Sequence, residues 1–409
     1  MEVQKLEQSI SVIIKDFRQG TAGIDLNSDH VHKWVSQFDV DDQKVILEET
    51  LQIFQKWYFN RIKIEQFLDE ILQSVVQDEN QENAPEVFKN IVFLDMQEKG
   101  KSQTNLVQML QTLVRKKYNC NVNIQSQVSS GNKHYIYIDD GLFTGSRLIK
   151  DLTRCVELAS ENTKIDIWYL ISCESGQSYS ERKLKSIVEE KNINIKINVM
   201  NEIHNNKTIE KVKDVSVWYP IQDCLWPNEN LDNVPIIKNY KTSLESVLGK
   251  EKPIPYFYRT NRLTYTPGIF TSMKNRNIVE CAFLKKGIEI VQKCKTEKGM
   301  YPLGYNLYPS AGFGSFCATD LNVSNTCPLV LWWGNVTKKG NILDNWYPLL
   351  PRRTNEHLID FSDEMPYTKT GQEDAWKQVY TTCPACGKGI CFENDGGTGF
   401  CINCSPDYS

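Results

Sequence analysis

The chain has 409 residues, of which 40% are hydrophobic and 24% charged, a composition typical of a globular protein with more than one folded unit. Its 47 basic and 51 acidic residues give a formal net charge of −4, so the whole chain lacks the positive field of a nucleic-acid or anionic-membrane binder. No apolar run approaches the roughly 20 residues that cross a bilayer, and the amphipathic N-terminus is unlike a signal peptide. We therefore expect a cytoplasmic protein with no membrane partner.

The first part of the chain has a helical pattern. Apolar residues recur at helical spacing from Val31 to about Leu72, which predicts a helical N-terminal region over residues 1–80. The polar stretch QDENQENAPE that follows contains a proline and is typical of a linker or surface loop.

The middle of the chain alternates between strand-like and helix-like segments. Apolar strands such as NIVFLDM, HYIYIDD and KIDIWYLIS are separated by helical segments of about a dozen residues. Such alternation predicts βαβ units and a mainly parallel sheet, so we expect an α/β core over residues 86–245. Residues 246–370 contain a predicted helix at 281–299 and then many Gly, Pro and aromatic residues, which predicts a mixed α/β accessory region.

The segment HYIYIDDGLFTGSRLIKDL combines features of a ligand site. Its strand reaches two acids, Asp139 and Asp140, at the edge of a parallel sheet where ligands bind. The turn and the helix N-terminus that follow offer backbone N–H groups to a phosphate, while the acids offer oxygens to sugar hydroxyls or to Mg²⁺. A ribose 5-phosphate would satisfy both. The alternative is that the acids end the strand, that Thr144 or Ser146 caps the helix, and that nothing binds.

An earlier loop, DMQEKGKS at residues 95–102, also lies between a predicted strand and a helix. It matches the P-loop pattern except that Asp95 replaces the first glycine, whose turn lets the backbone wrap the phosphates. This replacement argues against an NTPase. A second alternative is a solvated basic turn.

Four cysteines near the end form the pattern CPAC, fourteen residues, CINC. Two CxxC pairs at this spacing are typical of a closed tetrahedral site, which predicts one structural Zn²⁺ ion in a zinc ribbon over residues 371–409. The predicted ligands are Cys383, Cys386, Cys401 and Cys404.

The stretch YIYIDDGLFTGSR resembles the phosphoribosyl pyrophosphate (PRPP) signature of type I phosphoribosyltransferases. The resemblance implies that the acids Asp139 and Asp140 are catalytic and contact the ribose hydroxyls. It implies that the strand-to-helix loop at 95–102 binds pyrophosphate through Lys99, Gly100, Lys101 and Ser102. The implied 5-phosphate loop consists of Phe143, Thr144, Gly145, Ser146 and Arg147. Gly141 departs from the signature, which usually has an aliphatic residue there, and Arg147 replaces a frequent threonine.

A second resemblance covers roughly residues 30–353. The segments HVHKWVSQF, DMQEKGKSQTN, DDGLFTG, LGYNLYPS, SNTCPLVLWW and WYPLLPRR occur in the order found in the PRTase-CE family, phosphoribosyltransferase-like proteins of bacterial conflict and anti-phage loci, some of them retron-linked. This resemblance implies a type I phosphoribosyltransferase-like sheet with a hood-like region over its edge. It also implies a toxic effector with a protein or nucleoprotein partner encoded in the same defence locus.

Two functions follow from these resemblances. The first is a PRPP- and Mg²⁺-dependent phosphoribosyltransferase whose acceptor the sequence does not specify. The alternative, suggested by Gly141 and Arg147, is a noncatalytic PRPP- or nucleotide-sensing module that acts through a partner. A P-loop NTPase is the third hypothesis. An oligomer is compatible with the sequence.

Overall fold

We analysed a computed structural model. It describes residues 2–18, 25–78, 83–97, 102–129, 134–188, 191–204, 230–248, 257–258, 269–294, 299–306, 310–337 and 345–352. All of these residues belong to one compact unit that ends at Glu356. The pyrophosphate-loop residues Lys99, Gly100 and Lys101 and the four predicted zinc ligands lie outside the described residues.

The N-terminal region contains the predicted helices. They are α1 (Glu2–Ile14), α2 (Ser28–Val35), α3 (Val40–Trp57) and α4 (Arg61–Asp78). In α3, Ile46, Ile53 and Phe54 are buried at helical spacing, so one face of this helix packs into the core. A two-residue strand, β1 (Tyr58–Phe59), follows α3 and was not predicted.

The core is the predicted α/β sheet. Its strands are β2 (Ile91–Leu94), β3 (Asn123–Gln125), β4 (His134–Leu142), β5 (Lys164–Cys173) and β6 (Asn194–Ile203). They form a five-stranded, wholly parallel sheet in the order β3-β2-β4-β5-β6, which confirms the predicted fold class. All four residues of β2 and the first six of β4 are buried, as expected for central strands of a covered parallel sheet.

Helix α5 (Ala84–Asn90) leads into β2. The strands β2, β4 and β5 are followed by α6 (Ser102–Tyr118), α7 (Ser146–Leu158) and α8 (Glu174–Val188), respectively. Helix α8 begins directly after β5, six residues before the predicted start at Ser180. The six residues ESGQSY carry no apolar periodicity, so the sequence pattern does not reveal this first part of the helix.

The described part of the chain after residue 230 begins with helices. These are a 3₁₀ turn (Leu231–Asn233), α9 (Pro235–Leu248) and α10 (Met273–Cys294). Helix α10 starts eight residues before its predicted beginning, because its first part buries the polar pair Arg276 and Glu280 rather than an apolar stripe. The start of α10 is fixed by Glu49 of α3, which accepts hydrogen bonds from the Thr271 backbone N–H (2.9 Å) and from Asn275 Nδ2 (2.8 Å).

The remaining elements are short, as the Gly, Pro and aromatic content predicts. They are β7 (Met300–Tyr301), β8 (Gly304–Tyr305), β9 (Ala318–Thr319) and α11 (Leu329–Trp332). Strand β9 pairs in parallel with β1, which joins the accessory region to the N-terminal helices.

Three side chains of the N-terminal helices and their loop bind the end of the described chain. His30 contacts Tyr347 Oη through Nδ1 and the Leu349 carbonyl through Nε2, both at 2.8 Å. Trp34 Nε1 donates to the Val330 carbonyl at 2.8 Å, and Gln37 exchanges two hydrogen bonds with the Tyr347 backbone. Two of the sequence segments behind the family resemblance, HVHKWVSQF and WYPLLPRR, therefore pack against each other.

The described helices include none that is both long enough and apolar enough to cross a bilayer.

Candidate functional site

The acid pair lies within β4 rather than beyond its end. Asp139 is opposite Tyr169 of β5, and the pairing continues to Gly141 opposite Ile171 and Leu142 opposite Ser172. Asp139 is buried and Asp140 is partly exposed. Both acids thus occupy the carboxyl-terminal part of a central strand, the position where ligands of parallel sheets bind.

The loop between β2 and α6 reaches this acid pair. Gln97 Nε2 donates to Asp139 Oδ2 at 2.8 Å. The Ser102 hydroxyl lies 3.3 Å from Asp139 Oδ1 and 3.1 Å from Asp140 Oδ1. The structure therefore brings Ser102, a predicted pyrophosphate ligand, together with both predicted ribose contacts.

Ionisation of both acids at once is unfavourable, because the two carboxyl groups are adjacent and burial disfavours their charged forms. Burial raises the pKa of Asp139 well above its usual value, and the charge of Asp140 raises it further. Burial also raises the pKa of Asp140, although hydrogen bonds, including that from Ser102, oppose this effect. Hydrogen-bond donors or a cation at this position would stabilise the ionised pair.

The chemistry of the acid pair fits Mg²⁺ held largely by a ligand. Mg²⁺ is commonly bound through one or two carboxylates together with substrate phosphates and water. Within the described ranges, no three His, Cys, Asp or Glu side chains converge to hold a metal ion on their own. Asp139 and Asp140 are therefore suited to a shared site with a phosphorylated ligand, and less so to a metal cage made only of protein.

Gln103 braces the same loop and was not predicted. Its Oε1 accepts hydrogen bonds from the backbone N–H groups of Met96 (2.8 Å) and Gln97 (3.1 Å), and its Nε2 donates to the Ile138 carbonyl at 3.1 Å. A signal was present in the sequence, because Gln103 lies on the buried face of α6, which is mostly apolar.

Asp95, which replaces the first P-loop glycine, has a structural role. Its Oδ1 accepts a hydrogen bond from Thr104 Oγ1 at 2.9 Å, and its backbone N–H donates to the Gln125 carbonyl at 2.8 Å. These contacts tie the loop to the first turn of α6 and to β3.

The predicted 5-phosphate loop leads into the N-terminus of α7. Gly145, at the N-cap, has φ +80°, a left-handed conformation that favours glycine. Thr144 Oγ1 lies 3.4 Å from Ser146 Oγ, so the two predicted hydroxyl donors are adjacent. A helix N-terminus with nearby hydroxyls is suited to a phosphate.

Gly176 of α8 supports this loop and was not predicted. A Cβ atom at residue 176 would lie 1.9 Å from the Phe143 carbonyl oxygen and 3.3 Å from the Gly145 nitrogen. Only a residue without a side chain lets α8 approach the loop backbone so closely. No sequence signal marks Gly176, because its contact depends on how α8 packs against the loop before α7.

The unusual Gly141 is explained by Phe143. A Cβ atom at residue 141 would lie 2.3 Å from Phe143 Cε2, because the phenyl ring folds back over the glycine. The outer side of this ring packs edge-on against Phe313 of the accessory region, with ring centroids 6.4 Å apart. Phe143 thus fills the space that an aliphatic residue at 141 would occupy.

Arg147, the second departure, contacts its own helix. Its Nε lies 3.4 Å from Asp151 Oδ2, which also accepts a hydrogen bond from Tyr137 Oη at 3.0 Å. Burial raises the pKa of Asp151, and the charge of Arg147 opposes this increase.

A further buried acid, Asp320, directly follows β9 in the accessory region. Arg61 Nε is 2.7 Å from Asp320 Oδ2. Burial raises the pKa of Asp320 to about 6 against the lowering effect of Arg61, and the charges of Asp16 and Asp140 add to the increase. No sequence pattern selects Asp320, because it follows β9 in an irregular stretch.

The tryptophans of the accessory region are packing residues. Trp332, Trp333 and Trp346 are buried, and the indole N–H of Trp346 donates to the Val330 carbonyl at 2.9 Å. The Arg352 guanidinium lies over the Trp332 ring, 4.9 Å from its centroid, while Arg353 is outside the described residues.

Comparison with family models matches residues 31–352 to the family described as PRTase-CE. The match covers well over half of the chain and includes both loops of the candidate site. A search of curated proteins found no match.

Proposed function

We propose, since this chain belongs to the PRTase-CE family and is a phosphoribosyltransferase-like protein, that its acid pair and the two flanking loops bind PRPP together with Mg²⁺ for phosphoribosyl transfer. The observation that carries the proposal is the contact of Ser102 and Gln97 with Asp139 and Asp140. It joins the proposed pyrophosphate loop to the proposed ribose contacts at one edge of the sheet.

Each part of the site has a distinct task in this proposal. Asp139 and Asp140 accept hydrogen bonds from the ribose hydroxyls, and their negative charge stabilises the positive charge that develops at C1 as pyrophosphate leaves. The 5-phosphate binds at the loop 143–147 and the N-terminus of α7. Lys99, Gly100, Lys101 and Ser102 hold the leaving pyrophosphate.

Mg²⁺, when bound, would supply positive charge that offsets the negative charge of the ligand phosphates. The residues suited to share it are Asp139 and Asp140, whose raised pKa values reflect a need for compensating charge.

Isothermal titration with PRPP and Mg²⁺ tests the proposal. We expect binding to the wild type and at least a tenfold loss of affinity in the double variant Asp139→Asn/Asp140→Asn, because the amides cannot carry the charge. Asp166→Asn is the matched control, since Asp166 lies at the opposite end of the same sheet and contacts His134. Absence of wild-type binding, or equal binding by the double variant, would refute the proposal.

The contact between Arg147 and Asp151 favours a second candidate, a PRPP- or nucleotide-sensing module. Where the signature usually has a threonine hydroxyl, this loop has an arginine whose side chain lies against its own helix. Pyrophosphate release, measured with a panel of bases, nucleosides and nucleic acids, separates the two functions. Binding without any release would favour the sensor.

The family also suggests a toxic effector in bacterial phage defence, with a protein or nucleoprotein partner from its own locus. Genes that neighbour this one test the suggestion. A reverse transcriptase or another defence gene next to it would support the role, whereas a biosynthetic operon would count against it.

A further inference from the structure

Asp320 is held rigidly by residues from separate parts of the chain. Its backbone N–H donates to the Phe59 carbonyl at 2.9 Å, and its carbonyl accepts from the Arg18 N–H at 2.7 Å. One carboxylate oxygen, Oδ2, is fixed 2.7 Å from Arg61 Nε. Main chain and side chain are therefore both positioned by the N-terminal region.

The other carboxylate oxygen is unused. Asp320 is 3% exposed, and its Oδ1 atom has no hydrogen-bond partner within the part of the chain that the structure describes. A buried carboxylate oxygen without a partner costs free energy, which a hydrogen bond from a bound ligand would offset.

Asp320 adjoins the candidate site through packing contacts. Phe313, in the same accessory segment, packs edge-on against Phe143 of the proposed 5-phosphate loop, with ring centroids 6.4 Å apart. Arg61, which fixes Asp320, also contacts Met109 of α6 through Nη1 at 2.7 Å, and α6 is the helix that follows the proposed pyrophosphate loop. The acid thus belongs to the accessory region but adjoins the groups assigned to PRPP.

Asp139 and Asp140 are assigned to the ribose. Asp320 is therefore available to the other reactant, the acceptor. We propose that Oδ1 of Asp320 accepts the hydrogen bond of the O–H or N–H group that attacks the ribose, which rests on the proposed function. As the bond between this group and C1 forms, the bond between C1 and the pyrophosphate oxygen breaks, and its electron pair leaves with pyrophosphate. The proton of the attacking group passes to Asp320 Oδ1.

This role of Asp320 defines the chemical class of the acceptor. It carries an exchangeable proton on the attacking oxygen or nitrogen and needs a base, unlike an anion that attacks without losing a proton. A positioned base of this kind contributes about 100-fold to 10,000-fold to a rate.

The test compares two small acceptors in pyrophosphate release from PRPP and Mg²⁺. Water must lose a proton when it attacks, whereas azide need not. In Asp320→Asn, which keeps an oxygen for Arg61, we expect water-dependent release to fall about 100-fold or more and azide-dependent release to stay within about threefold. Asp69→Asn is the matched control, because Asp69 pairs with Lys117 rather than with Asp320 or Arg61, and it should leave both rates within about threefold.

The outcomes separate this inference from the proposed function. PRPP titration of the wild type and of Asp320→Asn is run in parallel, and both should bind. Equal losses with water and azide would show a merely structural role for Asp320 and overturn the inference, as would unchanged rates with both. Wild-type binding without any release would overturn the proton transfer while leaving the PRPP site intact, whereas absence of wild-type binding would refute both.

Discussion

At the scale of single residues, the two departures from the PRPP signature have different structural contexts. Gly141 is matched by Phe143, whose ring takes the space of a side chain at 141 and contacts Phe313. Arg147 contacts Asp151 along α7. The first departure is therefore compensated within the loop itself, and the second replaces a hydroxyl by a charged side chain that lies against its own helix.

A double-mutant cycle tests this compensation. Gly141→Val places methyl groups where the Phe143 ring lies, so we expect the free energy of unfolding to fall by about 1–3 kcal/mol. In Gly141→Val/Phe143→Ala the ring is absent, and the cost should be smaller than the sum of the two single costs by about 0.5–3 kcal/mol. Urea unfolding of the four proteins measures the coupling. Additive costs would show that the ring and residue 141 do not compete for space.

Single residues also mark the limit of sequence analysis. Asp139 and Asp140 were found because their neighbours along the chain form a recognisable strand, turn and helix. Gln97 reaches the site, and Asp320 is held by Phe59 and Arg61, through contacts between segments distant in sequence, and no local pattern records such contacts. Gln103 lies between these cases, because a polar residue on an apolar helix face is visible in the sequence.

At the scale of elements, the sheet was predicted well and the helix starts less well. Apolar, β-branched runs identify the central strands, since both faces of a parallel sheet are buried. The beginnings of α8 and α10 were missed because their first residues are polar or small and are placed by tertiary contacts, such as those of Gly176 and Glu49.

The packing of α8 on the phosphate loop leads to a prediction for Gly176. In Gly176→Ala the new methyl group would displace the Phe143 carbonyl, so the proposed 5-phosphate loop should lose the backbone geometry that the proposal requires. We expect PRPP affinity to fall about tenfold or more, equivalent to about 1.4 kcal/mol, in isothermal titration. Ser178→Ala, in the same turn of α8, is the control and should bind PRPP as the wild type does. Normal affinity in Gly176→Ala would mean that the loop does not hold the phosphate.

The attachment of α2 to the end of the described chain should depend on pH. Burial lowers the pKa of His30, and the neutral ring donates from Nε2 to the Leu349 carbonyl and accepts from Tyr347 Oη at Nδ1. Below an unfolded pKa of about 6.5, the unfolded chain binds a proton that the folded chain excludes. The stability that His30 contributes is therefore present above about pH 6.5 and is lost as the pH falls.

The variant His30→Gln, which cannot be protonated, isolates this contribution. At pH 7.5 we expect it to unfold with about 1–3 kcal/mol less free energy than the wild type, because buried hydrogen bonds are lost. This difference should shrink between pH 7 and pH 5. His32→Gln is the control, since the His32 side chain is largely exposed. A difference that grows as the pH falls would contradict the assigned neutral ring.

At the scale of the whole molecule, the segments that support the family resemblance build two joined structures. One is the sheet edge with Gln97, Ser102 and the acid pair. The other is the contact of the α2 region with Val330, Tyr347 and Leu349. The short pairing of β1 with β9 joins the accessory region to the N-terminal helices, and the Asp320 backbone N–H extends it by donating to the Phe59 carbonyl. Pairing between residues some 260 positions apart is not predictable from local sequence, which is why the joint role of the N-terminal and accessory regions emerged only from the fold.

The zinc ribbon remains a prediction, since its four cysteines lie outside the described residues. We expect elemental analysis to find about one zinc ion per chain in the wild type and little in Cys386→Ser/Cys404→Ser, because tetrahedral zinc needs all four thiolates. Cys391→Ser removes the neighbouring fifth cysteine and should retain the metal. Equal zinc in both variants would exclude the proposed ligand set.

A crystal structure with Mg²⁺ and a nonhydrolysable PRPP analogue tests the central claim most directly. We predict the ribose hydroxyls within hydrogen-bond distance of Asp139 and Asp140, the 5-phosphate at residues 143–147, and the pyrophosphate group at residues 99–102. An analogue bound elsewhere, or bound with its ribose away from the two aspartates, would contradict the account.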